Sequence, residues 1–165
     1  MVKTGDEERF KASAEEALAT ETGKCSARFF FFRKLMKTRH GTEFKEPLFP
    51  GYVFMETTRL RYEDIVELRK VKGFYHFLFT NEAPQKLLGY DLEYFSVFRQ
   101  SGEILGVSKV SFDENQRIVI IDGPLKGFEG HIIRVNRRCN RVTIMIDMLG
   151  SCKKVDLCYS EVSAI

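Results

Sequence analysis

The stretch Ile118-Val119-Ile120-Ile121-Asp122-Gly123-Pro124-Leu125-Lys126-Gly127-Phe128-Glu129-Gly130-His131-Ile132-Ile133 decides how the second half of the chain is read. A run of β-branched residues meets Gly123-Pro124, a pair in which one residue is free to take positive φ and the next has φ fixed. Gly127 and Gly130 allow further tight backbone placements before a second β-branched run begins. No helix pattern follows to present its N-terminus, so the glycines read as turn residues between strands and not as a phosphate cradle.

Working outward, Val107 to Phe112, Arg117 to Ile121, His131 to Val135, Val142 to Ile146 and Lys153 to Leu157 are five short β-rich runs separated by turn residues. Val142, Ile144 and Ile146 alternate with Thr143, Met145 and Asp147, the period of a half-buried strand. Such a series predicts a small closed or nearly closed barrel over 107–165. Residues 1–103 carry a different pattern and predict a separate domain, with Ser101 to Gly106 as a short linker.

In that first part a helix is predicted from near Thr4, where Thr4-Gly5-Asp6-Glu7 offers a capping box and Phe10, Ala14, Ala17 and Leu18 share one face. Ala27 to Lys37 and Gly51 to Glu56 read as strands, with Arg39-His40-Gly41-Thr42 as a turn that would make them a hairpin. Tyr62 to Lys70 reads as a helix with Ile65 and Val66 inward, stopped by Gly73. Phe74 to Thr80 reads as another strand, and Asp91 to Gln100 as a last helix packing Phe95 and Phe98. The predicted fold class is α+β, an antiparallel sheet with helices followed by a small β-barrel.

Charge is nearly balanced in the 165 residues, 26 Lys and Arg against 23 Asp and Glu, so the net +3 names no partner. Its distribution is more informative. From Arg117 to Arg141 six basic residues face two acidic ones, a local +4 in a chain whose total is +3. Arg134, Arg137, Arg138 and Arg141, interleaved with Asn136 and Asn140, fall on one turn and its strand ends. Arginine at every charged position there suits bidentate contacts to phosphates and guanine edges. Lys126, Lys153 and Lys154 extend the candidate nucleic-acid surface. A solvated hairpin loop is the competing reading of the same charges.

Other classes find little support. Cys25, Cys139, Cys152 and Cys158 form no Cys-x-x-Cys pair and read as reduced thiols. His40, His76 and His131 lie far apart, and no metal, nucleophile or phosphate-loop motif is present. The chain is expected not to be an enzyme and to need no cofactor. Phe29 to Phe32 is far shorter than the roughly 18 apolar residues of a membrane span, and the acidic Thr4-Gly5-Asp6-Glu7-Glu8 does not read as a signal peptide, so a cytoplasmic protein with no membrane partner is expected; a monomer is expected as well.

Gly123 to Gly130 with its flanking strands resembles a KOW motif, found in small barrels of transcription and ribosomal proteins. Upstream, Pro47-Leu48-Phe49-Pro50-Gly51-Tyr52-Val53-Phe54-Met55-Glu56 resembles the signature strand of the NusG N-terminal domain, and Val71-Lys72-Gly73-Phe74 continues the match. The Gly-Pro-Leu-x-Gly-x-Glu-Gly form is similar to the specialised antitermination branch of that family, such as LoaP. The resemblance departs at the start, where relatives open with a Trp-Tyr strand that this chain lacks.

The resemblance implies a transcription elongation factor that binds bacterial RNA polymerase through its first domain and promotes readthrough of terminators. It implies Phe49, Pro50, Tyr52, Phe54 and Phe77 as polymerase contacts. Alternation puts Tyr52 and Phe54 on one strand face and Val53 and Met55 on the other, so both faces are apolar where a one-sided helical layer needs only one. The second domain is implied to recruit a nucleic acid, an RNA hairpin being favoured over a DNA element, or a ribosomal protein or other elongation factor. The alternative is a KOW-containing RNA-binding protein of the translation apparatus.

Overall fold

In chain order the elements are α1 (Glu7–Ala17), β1 (Ala27–Phe30), β2 (Arg33–Lys37), β3 (Glu43–Pro47), β4 (Phe54–Thr57), α2 (Tyr62–Lys70), α3 (Tyr90–Gln100), β5 (Ile104–Leu105), β6 (Ser108–Phe112), β7 (Ile118–Asp122), β8 (Ile132–Asn136), β9 (Arg141–Met148) and β10 (Ser151–Glu161). The computed structural model describes residues 1–19, 27–38, 40–78, 80 and 84–162. Cys25, Arg39 and Phe79, which the sequence analysis used, lie outside the described residues. The chain forms two compact units that interleave in sequence, 1–32 with 49–86 and 33–48 with 87–165. The boundary expected at 103–107 therefore falls inside the second unit.

In the first unit, α1 buries Phe10 and Ala14, and Leu18 at its C-cap continues the apolar stripe, whereas Ala17, expected on the same face, is exposed. The capping box expected at Thr4 does not form. Asp6 is the N-cap without a side-chain bond, and Glu7 instead turns its carboxylate inward to accept the Gly5 amide on Oε2 at 2.8 Å and the Gly51 amide on Oε1 at 2.8 Å. Strands β1 and β4 pair antiparallel with Phe29 opposite Met55 and Phe30 opposite Phe54. Ala27 and Phe29 join Phe10, Ala14, Leu18, Ile65 and Leu68 in one core, with Val53 and Met55 packed on it. Side-chain alternation puts Phe30 and Phe54 on the other face. There Phe32 lies 6.1 Å from Phe30 and 5.6 Å from Phe54, and Phe49 meets Phe54 edge-on at 6.0 Å.

Helix α2 starts where the backbone N–H of Arg61 donates to Asp64 Oδ2 at 2.9 Å and its guanidinium donates to Oδ1 at 2.9 Å. That side-chain bond, above all, holds the Asp64 carboxyl below its usual range. Ile65 is buried as expected, but Leu68 is its buried companion and Val66 is only half-buried. The pair three apart shares a face, and Val66 sits about 100° round the helix. The strand expected over 74–80 is not formed among the described residues: Phe74 makes a single bridge with Val2. The Tyr75 and His76 amides both turn to the Met1 carbonyl, at 3.1 and 3.4 Å, and the Lys3 amide donates to the Gly73 carbonyl at 2.9 Å, so the pairing is confined to this short stretch.

In the second unit β2 and β3 form a hairpin, extended by β5 lying parallel to β2. The turn at 38–42 thus joins β2 to β3, correcting the expected hairpin with 51–56, and the expected Ala27–Lys37 strand is two strands. Strand β3 escaped notice because Glu43-Phe44-Lys45-Glu46-Pro47 is charged and ends in proline, as sheet edges do. It is held across the hairpin by Lys37–Glu43 at 2.8 Å and Lys34–Glu46 at 3.5 Å, directly opposed pairs. The expected linker contains β5, whose Leu105 is fully buried.

All five predicted strands of the C-terminal series are present, in the order β7-β6-β10-β9-β8, with β10 parallel to β6 and the other pairs antiparallel. This is a curled SH3-like sheet around Val110, Val142, Ile144, Ile146, Val155 and Leu157. Gly123 is required where it stands: φ is +100° and a Cβ would lie 2.7 Å from Ser108 Cα. The fold class is α+β. No helix of the described residues is long and apolar enough to cross a membrane.

Candidate functional site

The aromatic strand and the arginine turn are built separately, one in each unit. In the first, Phe49-Pro50-Gly51-Tyr52 closes as a turn through the Tyr52 amide on the Phe49 carbonyl at 3.1 Å. Gly51 has φ +80°, its amide is held by Glu7, and its carbonyl accepts the Val2 amide at 2.8 Å. The turn is therefore fixed to both α1 and the chain start. Pro50 is exposed and Tyr52 half-buried at its tip. Phe49 and Phe54 are buried beneath, at 3% and 7% exposure. Phe77 does not join them. It belongs to the helix-side core, 5.0 Å from Phe74 and with the Arg69 guanidinium 5.9 Å from its ring.

In the second unit the arginines expected to act alike have different surroundings. Asn136 caps a 3-10 turn over Arg137–Cys139 by accepting the Cys139 amide at 3.2 Å, and Asn140 ends it in the left-handed region at φ +50°. The interleaved asparagines thus serve the turn, since Asn tolerates that conformation and caps well. Arg141 is half-buried and donates from Nη2 to the Lys37 carbonyl on β2 at 3.2 Å. Arg137 lies with its guanidinium carbon 3.8 Å from the Phe112 ring centroid, donating from Nη1 to Gln116 Oε1 at 2.6 Å and from Nη2 to the Gln116 carbonyl at 3.0 Å. Arg134 and Arg138 are exposed. A groove of about 540 Å³ lies here, lined by Phe112, Gln116, Arg134, Val135, Asn136 and Arg137.

Lys126 is exposed on the β7–β8 connection. Lys153 and Lys154 pair opposite Ile146 and Met145 on β9. At about 3.3 Å per residue they are roughly 13–17 Å along the strand from Arg141, outside the turn itself. The structure brings together Arg134, Asn136, Arg137, Arg138, Asn140 and Arg141 on one turn and its strand ends, and leaves Lys153 and Lys154 at a distance. Gln116 and Arg117, which no site reading included, are brought beside the turn by Arg137.

A third cluster surrounds Phe128, the aromatic of the glycine-rich turn. It stacks on Phe98 of α3 at 5.5 Å and 8°, and on Tyr94 at 5.6 Å and 25°. The Tyr94 hydroxyl is 3.0 Å from His131 Nε2, and burial, aided by Asp147, pushes that hydroxyl's pKa up. Phe128 is therefore a packing residue. Cys139, Cys152 and Cys158 are free thiols. Among the described residues no three His, Cys, Asp or Glu side chains gather in a way that could hold a metal ion.

Comparison with known proteins bears on these two elements. The family described as "Transcription termination factor nusG" matches residues 1–95. A Borreliella burgdorferi protein named "Transcription termination/antitermination protein NusG" is 25% identical over 125 residues, covering 72% of this chain and 68% of its own length. The protein of the same name from Thermus thermophilus is 24% identical over 176 residues, covering 96% of this chain and 92% of its own. A solved structure titled "Domain interaction in Thermotoga maritima NusG" superposes with a TM-score of 0.61 at 21% identity, covering 96% of this chain and 90% of that one, which is a likeness of fold. With the family match spanning more than half its length, the chain belongs to the NusG family.

Proposed function

We propose that this protein is a transcription elongation factor of the specialised antitermination kind, holding bacterial RNA polymerase with its first unit and nucleic acid with its second. One observation carries the first half of the reading. The face of the β1–β4 pair that α1 and α2 do not use is aromatic but not open as the sequence led us to expect, since Phe30, Phe32, Phe49 and Phe54 are all buried; what the first unit offers a partner there is the turn, exposed at Pro50 and half-buried at Tyr52. Contacts centre on Pro50 and Tyr52, with Phe49 and Phe54 as the support beneath them. Family membership makes polymerase the partner chemistry of choice for that turn.

The second half rests on the arginine turn. Arg134 and Arg138 offer charge to a phosphate backbone, and nascent RNA is the nucleic acid at hand during elongation. The Gly-Pro-Leu-Lys-Gly-Phe-Glu-Gly turn supports the specialised branch, represented by LoaP-like factors, over the general one. The factor acts by contact alone, with no bond made or broken.

The test is transcription by reconstituted bacterial polymerase through an intrinsic terminator, with and without the protein. Increased readthrough supports the reading. Unchanged pausing and readthrough, together with co-sedimentation on ribosomes, would replace it with a translation-associated RNA-binding role.

A further inference from the structure

We propose that the nucleic-acid surface of the second unit is a two-turn phosphate clamp formed by Arg117, Arg134 and Arg138, in which Arg137 is the strut between turns and not itself a primary contact. The inference rests on the nucleic-acid part of the function proposed above and names its residues and ligand class.

The two turns are the β6–β7 connection, where Gln116 has φ +62°, and the β8–β9 connection, where Asn140 has φ +50°. Each is a tight reversal with a non-glycine residue in the left-handed region, which Asn140 tolerates but which costs free energy at Gln116 and persists there only when neighbours enforce it. Within the first, the Asp113 carboxylate accepts the Arg117 amide at 2.8 Å, and the Asp113 amide donates to the Arg117 carbonyl at 3.0 Å. Between the turns, Arg137 supplies the tie. Its two bonds to Gln116 and its stacking on Phe112 use one face and two donors of the guanidinium. A planar fork is suited to such a tie; an ammonium is not.

Arg117 is exposed and immediately follows Gln116, so fixing Gln116 fixes its position relative to Arg134 and Arg138. Three exposed guanidinium groups on two tied turns offer several charge-assisted contacts to a phosphodiester backbone. The exposed Glu114 marks the acidic edge of the footprint. The ligand is a duplex, recognised through its phosphodiester backbone. Single-strand binders stack bases on free aromatic faces. Here the one aromatic lining the groove, Phe112, has Arg137 on its face and Tyr159 edge-on at 6.1 Å, and among the described residues the exposed aromatics Phe44, Tyr62, Tyr75 and Tyr90 lie on other elements.

The experiment is fluorescence anisotropy with the full chain and three labelled probes: an RNA hairpin with a 16-base-pair stem, a DNA duplex of the same sequence, and a single-stranded oligouridine. Affinity is followed from 50 to 200 mM salt. The clamp predicts duplex binding tighter than single-strand binding, and the two duplex arms identify which duplex is preferred. Arg117→Ala, Arg134→Ala and Arg138→Ala each lower the salt slope by about 0.9. Glu114→Gln tightens binding. The strut predicts that Gln116→Ala, which changes no charge, lowers the slope as Arg117→Ala does, and that the double variant loses no more than either single one. Arg137→Lys, which keeps the charge, behaves like Gln116→Ala. Unfolding midpoints of the same variants separate lost contacts from lost fold. If the wild type binds a duplex but Arg117→Ala leaves affinity and slope unchanged, or oligouridine binds more tightly than either duplex, the clamp is wrong while nucleic-acid binding stands. If the wild type binds none of the three probes, the nucleic-acid function itself falls and the clamp with it.

Discussion

The Glu7 carboxylate and the Gly51 amide, 44 residues apart, are joined by a 2.8 Å hydrogen bond that fixes the Pro50–Tyr52 turn onto the start of α1. Glu7 is 2% exposed and its other oxygen takes the Gly5 amide, so both oxygens serve backbone donors. Glu7→Ala leaves the buried Gly51 amide without its partner, while the amide of the exposed Gly5 can turn to water, and is expected to cost about 2 kcal/mol. Glu7→Gln keeps one acceptor and turns a donor toward the other amide, an intermediate loss. Urea unfolding of the three proteins checks the order.

Gly123 and Gly127 separate steric need from conformational need. Gly123→Ala meets Ser108 Cα at 2.7 Å at a φ of +100°, whereas Gly127→Ala meets nothing within 4 Å at φ +89°. The first is expected to cost at least about 3 kcal/mol and the second about 1 kcal/mol, read from urea midpoints.

Phe128 is 2% exposed between Phe98 and Tyr94, and its truncation to alanine is expected to cost about 3–5 kcal/mol. Tyr94→Phe keeps the stack and removes only the bond to His131, so a loss near 1 kcal/mol is expected. Thermal unfolding of both variants distinguishes packing from hydrogen bonding.

Acid sensitivity has an assigned source in Arg61–Asp64. The folded Asp64 pKa lies below its ordinary 3.8, chiefly because the Arg61 side chain donates to it. The unfolded chain then binds the proton first, so this stabilisation is present above about pH 4 and drains away as pH falls through the folded value. Arg61→Ala is expected to flatten the decline of the unfolding midpoint between about pH 5 and 2.

How much of this was legible in the sequence follows from which residues carry a local signal. The five C-terminal strands were, because β-branched residues alternate in them and glycine or asparagine punctuates them. Strand β3 was not, since its pairing depends on Lys34 and Lys37 opposite Glu46 and Glu43, which only the folded hairpin supplies. Phe74 to Thr80 reads as a strand by composition, yet Phe74 and Phe77 pack in a core and the Tyr75 and His76 amides turn to the Met1 carbonyl. The arginine turn was found by charge, but the division of labour within it was not. That Arg137 ties Gln116 while Arg138 faces solvent depends on a partner 21 residues away. Phe49 and Phe54 on the signature strand and Phe77 on the next expected strand read alike as contact aromatics; all three are buried, and packing puts Phe77 in a different cluster.

The most direct test of the elongation-factor account is equilibrium binding of the full chain to a reconstituted bacterial elongation complex, with Tyr52→Ala alongside. Tyr52 is half-buried at the turn and lies outside the helix-side core, so the variant is expected to fold. The account predicts saturable binding that Tyr52→Ala weakens about tenfold or more with an unchanged unfolding midpoint. Absence of saturable binding by the wild-type chain, or equal binding by Tyr52→Ala, would contradict it.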